Sequence, residues 1–141
     1  MNSDLSQLYQ NIILEHNKNP LNFQKKEAAG EVLEAYNPLC GDHFRIYLDW
    51  EGEVMKEVHF HGYGCAICKA STSVMVQHIE GKNAEEARKI CEIFLKIAYN
   101  QPEELSQAPQ EFYAFAAAKN FPSRIDCAVL SWETLMNFLK K

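Results

Sequence analysis

The sequence of 141 residues has no excess of positive charge, because 14 lysine and arginine side chains stand against 19 aspartate and glutamate side chains, a net charge of −5. A protein that binds the nucleic-acid backbone needs a cluster of basic residues, so nucleic acid is not expected as a partner. The sequence also lacks an apolar run near the ~20 residues of a membrane-spanning helix, and no membrane association is expected. Its first four residues show no feature of a secretory signal, so we expect a cytoplasmic protein.

Internal repeats, low-complexity tracts and linker-like stretches are also absent, and we expect one domain over residues 1–141. A chain of this length buries roughly two-thirds of its unfolded surface without needing disulfide bonds. In a reducing compartment the five cysteines are therefore candidates for metal ligands, nucleophiles or small core residues rather than for disulfide partners.

Hydrophobic periodicity predicts a helix at the start of the chain and a hairpin after it. Apolar residues from Leu5 to His16 follow helical spacing, with Ser3 as the expected cap. Residues 30–36 predict a strand that runs into a turn before Pro38. Residues 44–50 and 54–61 alternate between apolar and polar, which is typical of a hairpin with one buried face.

Helices are predicted for most of the remaining chain. One follows Cys65 and ends at Gly81, and the next begins with a capping box at residues 83–86 and runs to Ala98. A short helix is expected around residues 112–116, and a last helix begins with a second capping-box pattern at residues 123–126. The expected fold class is α+β, with a small antiparallel β-sheet of about three strands packed against several α-helices.

Three cysteines and one carboxylate stand at the ends of these predicted elements. Cys65 opens a helix, where unpaired backbone N–H groups and the helix dipole favour a thiolate. Cys40 and Asp42 belong to the turn after the first strand, and Cys127 is predicted in the first turn of the last helix. Because these residues are distant in the chain, the pattern indicates one site assembled by the folded sheet and helices.

Three thiolates and a carboxylate form a set of four ligands that suits tetrahedral zinc, and thiolate-rich sets also hold iron–sulfur clusters. The residues alone do not separate these two possibilities. The long spacings from Cys40 to Cys65 and from Cys65 to Cys127 exclude a compact zinc finger, which uses two close ligand pairs. A carboxylate in place of a fourth sulfur is a harder and more replaceable ligand, which favours a site that exchanges its cargo.

Several motifs together resemble the U-type iron–sulfur scaffold proteins, the relatives of IscU and of the N-terminal part of NifU. They are Leu-Tyr at residues 8–9 with His16, Asn-Pro at 19–20 and Asn22, then Asn-Pro-Leu-Cys-Gly-Asp at 37–42, Gly-Tyr-Gly-Cys-Ala-Ile at 62–67, and Ser-Arg-Ile-Asp-Cys-Ala-Val-Leu-Ser-Trp at 123–132. The likeness covers nearly the whole chain. It looks most like the SufU branch, because residues 84–121 resemble that branch's insertion and no histidine precedes Cys127.

This resemblance implies a SufE/NifU-like fold and a site in which Cys40, Asp42, Cys65 and Cys127 are the metal ligands. It also implies bound Zn²⁺, or iron in a [2Fe-2S] cluster, and a SufS-like cysteine desulfurase as partner. Cys40 would accept sulfur as a persulfide, and iron–sulfur acceptor or carrier proteins would take the product. The implied activity is sulfur transfer and scaffolding rather than that of a stand-alone enzyme.

Three residues depart from the family pattern: Leu21, Cys68 and Asp126 stand where arginine, serine and lysine are usual. Asp126 is expected to raise the pKa of the neighbouring Cys127 thiol, and it could itself be a ligand. Cys68 is expected to replace serine without a new role. Arg124 is either a solvated residue or a partner of Asp42.

Other candidate residues are expected to be structural. Cys91 falls on an apolar helix stripe and is predicted to be a core residue. The histidines at positions 43, 59, 61 and 78 have no evident partner in the sequence, and each is read as structural.

Two other function classes remain possible on the sequence. One is a thioredoxin-type redox protein that uses Cys65 and Cys68, which have the Cys-x-x-Cys spacing. The other is a structural zinc-binding domain used for interaction, which would unfold when its metal is removed.

Overall fold

The computed structural model describes residues 3–39, 41–99, 108–120 and 122–140. The α-helices in these ranges are α1 (Ser3–Lys18), α2 (Ala66–Ile79), α3 (Ala84–Ala98) and α4 (Pro122–Leu139). The strands are β1 (Glu31–Asn37), β2 (Asp42–Glu51) and β3 (Val54–Tyr63), and a 3-10 helix covers Gln110–Asn120. The predicted α+β class with a small sheet is confirmed.

The sheet is antiparallel throughout, with the strand order β1-β2-β3. Phe44, Ile46 and Leu48 of β2 are fully buried, so the predicted hairpin with one buried face is confirmed. The alternation fails at its end, because the register shifts between Asp49 and Trp50 and leaves Trp50 exposed.

Helix α2 lies at the centre of the domain, in contact with α1, α4 and β3. Because neighbours cover it on several sides, its buried residues are not confined to the one face that the periodicity predicted. The helix ends as predicted, since Gly81 follows it with a φ of 87° that favours glycine. A central helix with a fixed beginning and end holds its N-terminal residues in place.

The capping box before α3 is confirmed, because Asn83 Oδ1 accepts from the Glu86 N–H and Glu86 Oε1 accepts from the Asn83 N–H. The second capping box is wrong, because α4 begins at Pro122, ahead of the predicted cap at Ser123. Proline suits the first position of a helix, where no N–H partner exists. Cys127 therefore lies in the second turn of α4 rather than in the first.

The aromatic core is built by α3, α4 and the 3-10 helix. Trp132 stacks on Phe94 with ring centroids 4.0 Å apart and planes 5° apart, and Phe112 meets both rings edge-on. All three side chains are fully buried. The predicted core position of Cys91 on the same face of α3 is confirmed.

Helix α1 begins at Ser3 itself, so the prediction that Ser3 caps it from outside is wrong. Near its end, His16 Nδ1 lies 2.8 Å from Ser73 Oγ of α2, and the backbone N–H of Leu21 donates to the same oxygen. These contacts attach the N-terminal segment to the central helix. Within the ranges given above, no helix is both long enough and apolar enough to cross a membrane.

Candidate metal and thiol site

Asp42 is the residue on which the site is built. It is fully buried and begins β2, opposite Asn37 of β1, rather than lying on the turn as predicted. Its Oδ1 accepts a hydrogen bond from the Cys65 N–H at 2.8 Å, and its Oδ2 accepts one from Cys127 Sγ at 3.1 Å. The buried carboxylate is therefore satisfied by the two other elements that meet there.

Cys65 is the N-cap of α2, as the sequence predicted. Its backbone is extended, with φ −70° and ψ 164°, and its Sγ accepts from the Cys68 N–H at 3.4 Å. The half-buried sulfur thus lies at the N-terminus of α2, beside the first backbone N–H groups of the helix.

Position 64 needs a glycine because the Asp42 carboxylate lies against its backbone. A Cβ added to Gly64 would lie 2.6 Å from Asp42 Oδ1 and 2.7 Å from the Phe44 ring. Any side chain there would push Asp42 away from the Cys65 N–H. This is the physical reason for the glycine immediately before Cys65.

Cys127 is buried on α4 and points at Asp42. The pKa of its thiol is raised, first by burial and then by its hydrogen bonds with Asp42 and Cys65. The sequence predicted that Asp126 raises the pKa of this thiol, and that assignment is wrong. Asp126 is exposed, and the acidic side chain beside the Cys127 sulfur is Asp42. The raised pKa favours the protonated thiol, which donates a hydrogen bond to Asp42 Oδ2.

Asp42, Cys65 and Cys127 form a group whose ligand atoms all lie within 4.8 Å of one another. Two sulfurs and one carboxylate oxygen at such distances fit a tetrahedral Zn²⁺, which binds sulfur at about 2.3 Å and carboxylate oxygen at about 2.0–2.2 Å. Cys40 lies outside the described residues, between the exposed Leu39 and Gly41. The structure therefore brings together three of the four predicted ligands, and the role of Cys40 stays a prediction.

A buried hydroxyl network that the sequence reasoning missed holds α2 against α4. Ser71 Oγ donates to the Ala128 carbonyl at 2.5 Å and accepts from Trp132 Nε1 at 2.9 Å. Thr72 Oγ1 donates to the Cys68 carbonyl, and the same Thr72 oxygen lies 2.7 Å from Ser131 Oγ. These bonds set the distance between the helices that carry Cys65 and Cys127. The signal was available, because three hydroxyl residues in a row at 71–73 are unusual inside a buried helix.

Other candidate residues stay outside the group. Cys68 is buried one turn into α2 and is not part of the ligand set. Arg124 is exposed and forms no ion pair with any residue in the described ranges, so a contact with Asp42 is not observed. Asp126, considered above as a further ligand, is not in the set either.

The histidines lie apart from the thiols. His43 Nε2 is 2.8 Å from Glu34, and His78 Nε2 is 3.2 Å from Glu111. His59 Nδ1 is buried and has no hydrogen-bond partner among the described residues. None of the histidines belongs to the ligand group found in the described ranges.

Comparisons with known proteins identify the family of the chain. Residues 8–137 match the family model described as the NifU-like N terminal domain. The chain is 35% identical over 136 residues to the zinc-dependent sulfurtransferase SufU of Bacillus subtilis. The aligned region covers 95% of this chain and 90% of the relative. It is 30% identical over 139 residues to the iron–sulfur cluster assembly scaffold protein IscU of Streptococcus pyogenes, covering 99% of this chain and 87% of the relative.

A solved structure shows the same architecture. It is the crystal structure of a protein assigned as an iron–sulfur cluster assembly scaffold for the SUF system of Fervidobacterium islandicum. The two superpose with a TM-score of 0.76 and 32% sequence identity over 94% of this chain and 97% of the other.

Proposed function

Because the chain belongs to the family of NifU-like N terminal domains, we propose that it works in iron–sulfur cluster assembly as a SufU-like protein. In this role a single domain over residues 1–141 binds Zn²⁺ and accepts persulfide sulfur from a cysteine desulfurase. The alternative cargo of the same site is a nascent [2Fe-2S] cluster, for which the protein would be the scaffold. The zinc-dependent form is favoured by the likeness to SufU of Bacillus subtilis.

The observation that carries the proposal is the convergence of Asp42, Cys65 and Cys127 from three separate elements. The carboxylate comes from the start of β2, and the thiols come from the N-cap of α2 and the second turn of α4. A buried carboxylate costs free energy unless it is compensated, and here a backbone N–H and a thiol compensate it. Such a set suits a soft divalent metal better than it suits a packed core.

Cys40 is the proposed fourth ligand and sulfur acceptor. Only Gly41 separates it from Asp42, so a thiol at position 40 is within reach of the group. When bound, Zn²⁺ holds its thiol ligands in the deprotonated form at neutral pH. Asp42 is the hard ligand of the set and the one we expect to be replaced most readily when the site opens.

The transfer step needs a thiolate at Cys40 and a persulfide on the partner. The Cys40 sulfur attacks the terminal sulfur of the partner's persulfide, a new S–S bond forms at Cys40, and the partner's S–S bond breaks. The partner leaves as a thiolate, and no external oxidant or reductant is consumed.

The surroundings of the site support docking of a protein partner. Tyr36, Leu39 and Tyr63 are large side chains that remain exposed beside the β1–β2 turn and the segment before Cys65. Aromatic and apolar side chains around a reactive group are typical of interface anchors. The proposed partners are a SufS-like cysteine desulfurase and, for the product, iron–sulfur acceptor or carrier proteins.

A thioredoxin-type redox function is not favoured. Helix α2 follows an antiparallel hairpin instead of a β-α-β crossover, and the Cys68 side chain is fully buried. A purely structural zinc domain is not favoured either, because the fully buried rings of Trp132, Phe94 and Phe112 pack directly on one another and give the fold an aromatic core besides the ligand group.

The test uses Cys65→Ser and Cys40→Ser proteins, with Cys91→Ala as the matched control for removal of a cysteine outside the site. Elemental analysis of the purified proteins should give near-stoichiometric zinc for the parent and the control, and a large loss for Cys65→Ser. Turnover of a cognate cysteine desulfurase should rise with the parent and not with Cys40→Ser. Full zinc in Cys65→Ser would refute the ligand assignment, and full stimulation by Cys40→Ser would remove that residue as the acceptor.

A further inference from the structure

A polar cavity lies on the outer face of the sheet, away from the helices. It has a volume of about 280 Å³. Its lining combines two basic side chains, two imidazoles and two phenols with one glycine: Lys25, His43, Arg45, Tyr47, His61, Gly62 and Tyr63. No carboxylate is among these lining residues, in a chain whose net charge is −5.

The strand register explains why these side chains meet. His43 pairs with Tyr63 and Arg45 pairs with His61, so each pair projects from the same face of β2 and β3. Tyr47 follows on the same face of β2 and is almost completely buried. Because side chains alternate along a strand, Phe44 and Ile46 face the core, and the polar residues between them lie on the opposite face of the sheet.

The loop after α1 brings the lysine to this face. The Phe60 N–H donates to the Asn22 carbonyl at 3.0 Å, and the Gln24 N–H donates to the Phe60 carbonyl at 2.9 Å. These bonds hold residues 22–24 beside β3 like a short extra strand and place Lys25 at the cavity. Phe23 also stacks on His61, with ring centroids 4.5 Å apart, which restricts the imidazole.

The charges around the cavity are mainly positive. Lys25 and Arg45 form no ion pair within the described ranges. Glu34 lies opposite Arg45 on β1, but its Oε1 accepts from His43 Nε2 at 2.8 Å and it does not line the cavity. Asp49, farther along β2, accepts from the Gly30 N–H. The guanidinium of Arg45, the ammonium of Lys25 and the imidazole of His61 are left for a ligand.

We propose that this cavity binds a small anion that carries phosphate or carboxylate groups. The guanidinium of Arg45 supplies paired donors for either group, Lys25 supplies a second positive charge, and Tyr63 supplies a hydroxyl. The volume is close to the lower limit for ligand pockets, which matches a compact polyanion rather than a nucleotide-sized molecule. This inference does not rest on the proposed sulfur-transfer function.

The test measures binding of pyrophosphate and of citrate by calorimetry and by amide shifts of β2 and β3, at constant ionic strength. Binding of either anion to the parent protein supports the proposal, and the tighter one identifies the preferred group. Arg45→Gln and Lys25→Gln should each weaken binding about tenfold or more, because a charged hydrogen-bonding partner is lost. Lys56→Gln, an exposed lysine of β3 outside the cavity, is the matched control and should bind like the parent.

The result that would overturn the proposal is the absence of binding by both anions, or equal affinity in Arg45→Gln and the parent. Zinc content is measured on the same samples and should be unchanged in Arg45→Gln. A failure of the thiol site would instead appear as low zinc in the parent protein, so the two proposals fail independently.

Discussion

Cys127 and Cys91 are both buried cysteines on helices, yet their surroundings differ completely. Cys91 lies on the apolar stripe of α3, and burial together with the nearby Glu92 raises its pKa to about 12. Cys127 faces the carboxylate of Asp42 and the sulfur of Cys65, and these add to burial in raising its thiol pKa. Burial alone therefore does not distinguish a ligand from a core residue, whereas convergence with other donors does.

The same contrast holds between two regions along α4. Near its beginning, Cys127 belongs to the polar thiol site, and further along Trp132 belongs to the aromatic core with Phe94 and Phe112. Ser71 of α2 is bonded to both parts, to the Ala128 carbonyl beside Cys127 and to the Trp132 indole. The aromatic core is expected to carry stability, and the thiol site to carry chemistry.

Replacing Phe94 by alanine should produce the largest effect, because it removes a fully buried ring stacked on Trp132. The expected loss is about 3–5 kcal/mol in the free energy of unfolding, measured by chemical denaturation. The folded fraction should keep its zinc. Lys96→Ala, on the exposed face of the same helix, is the control and should change stability by less than about 0.5 kcal/mol. Loss of zinc by folded Phe94→Ala protein would break the separation between the two regions.

The next comparison is Cys127→Ala against Cys91→Ala. Loss of a direct ligand should weaken zinc binding more than about 100-fold, beyond the range seen for residues that only support ligands. Cys91→Ala should leave zinc affinity unchanged and lower only stability, since its sulfur contacts apolar core residues. Competition with a chromophoric chelator measures both affinities. Equal losses in the two variants would mean that Cys127 is a core residue like Cys91.

The smallest effect is expected for Ser71→Ala, which removes the hydroxyl that is bonded both beside the thiol site and to the aromatic core. The Trp132 N–H and the Ala128 carbonyl lose their shared partner, and this should cost about 1–3 kcal/mol of unfolding free energy. Because α2 and α4 are then free to shift, zinc affinity should also fall, by up to about tenfold. Thr134→Ala removes a hydroxyl that bonds only within α4 and is the control. An unchanged zinc affinity in Ser71→Ala would show that the network serves stability alone.

Most of the elements could be predicted because local patterns determine them. Asn83 and Glu86 satisfy each other's backbone N–H groups, and Gly81 accepts a left-handed φ, so these helix ends follow from near neighbours. The predicted start of α4 is wrong because Ser123 to Asp126 resembles a capping box, which would make Arg124 the first helical residue, whereas the helix begins two residues earlier at Pro122. Two competing local signals of similar strength cannot be ranked from the chain alone.

The sequence by itself determined which residue types stand at the ends of elements, and therefore that thiols and a carboxylate were available for a metal. Only the tertiary structure decided that the carboxylate at Cys127 is Asp42 and not its chain neighbour Asp126. Adjacent residues on a helix point about 100° apart, so closeness in the chain does not bring their side chains together. Packing of α4 against β2 does, because it brings Asp42 and Cys127, which are 85 positions apart in the chain, within a single hydrogen bond of each other.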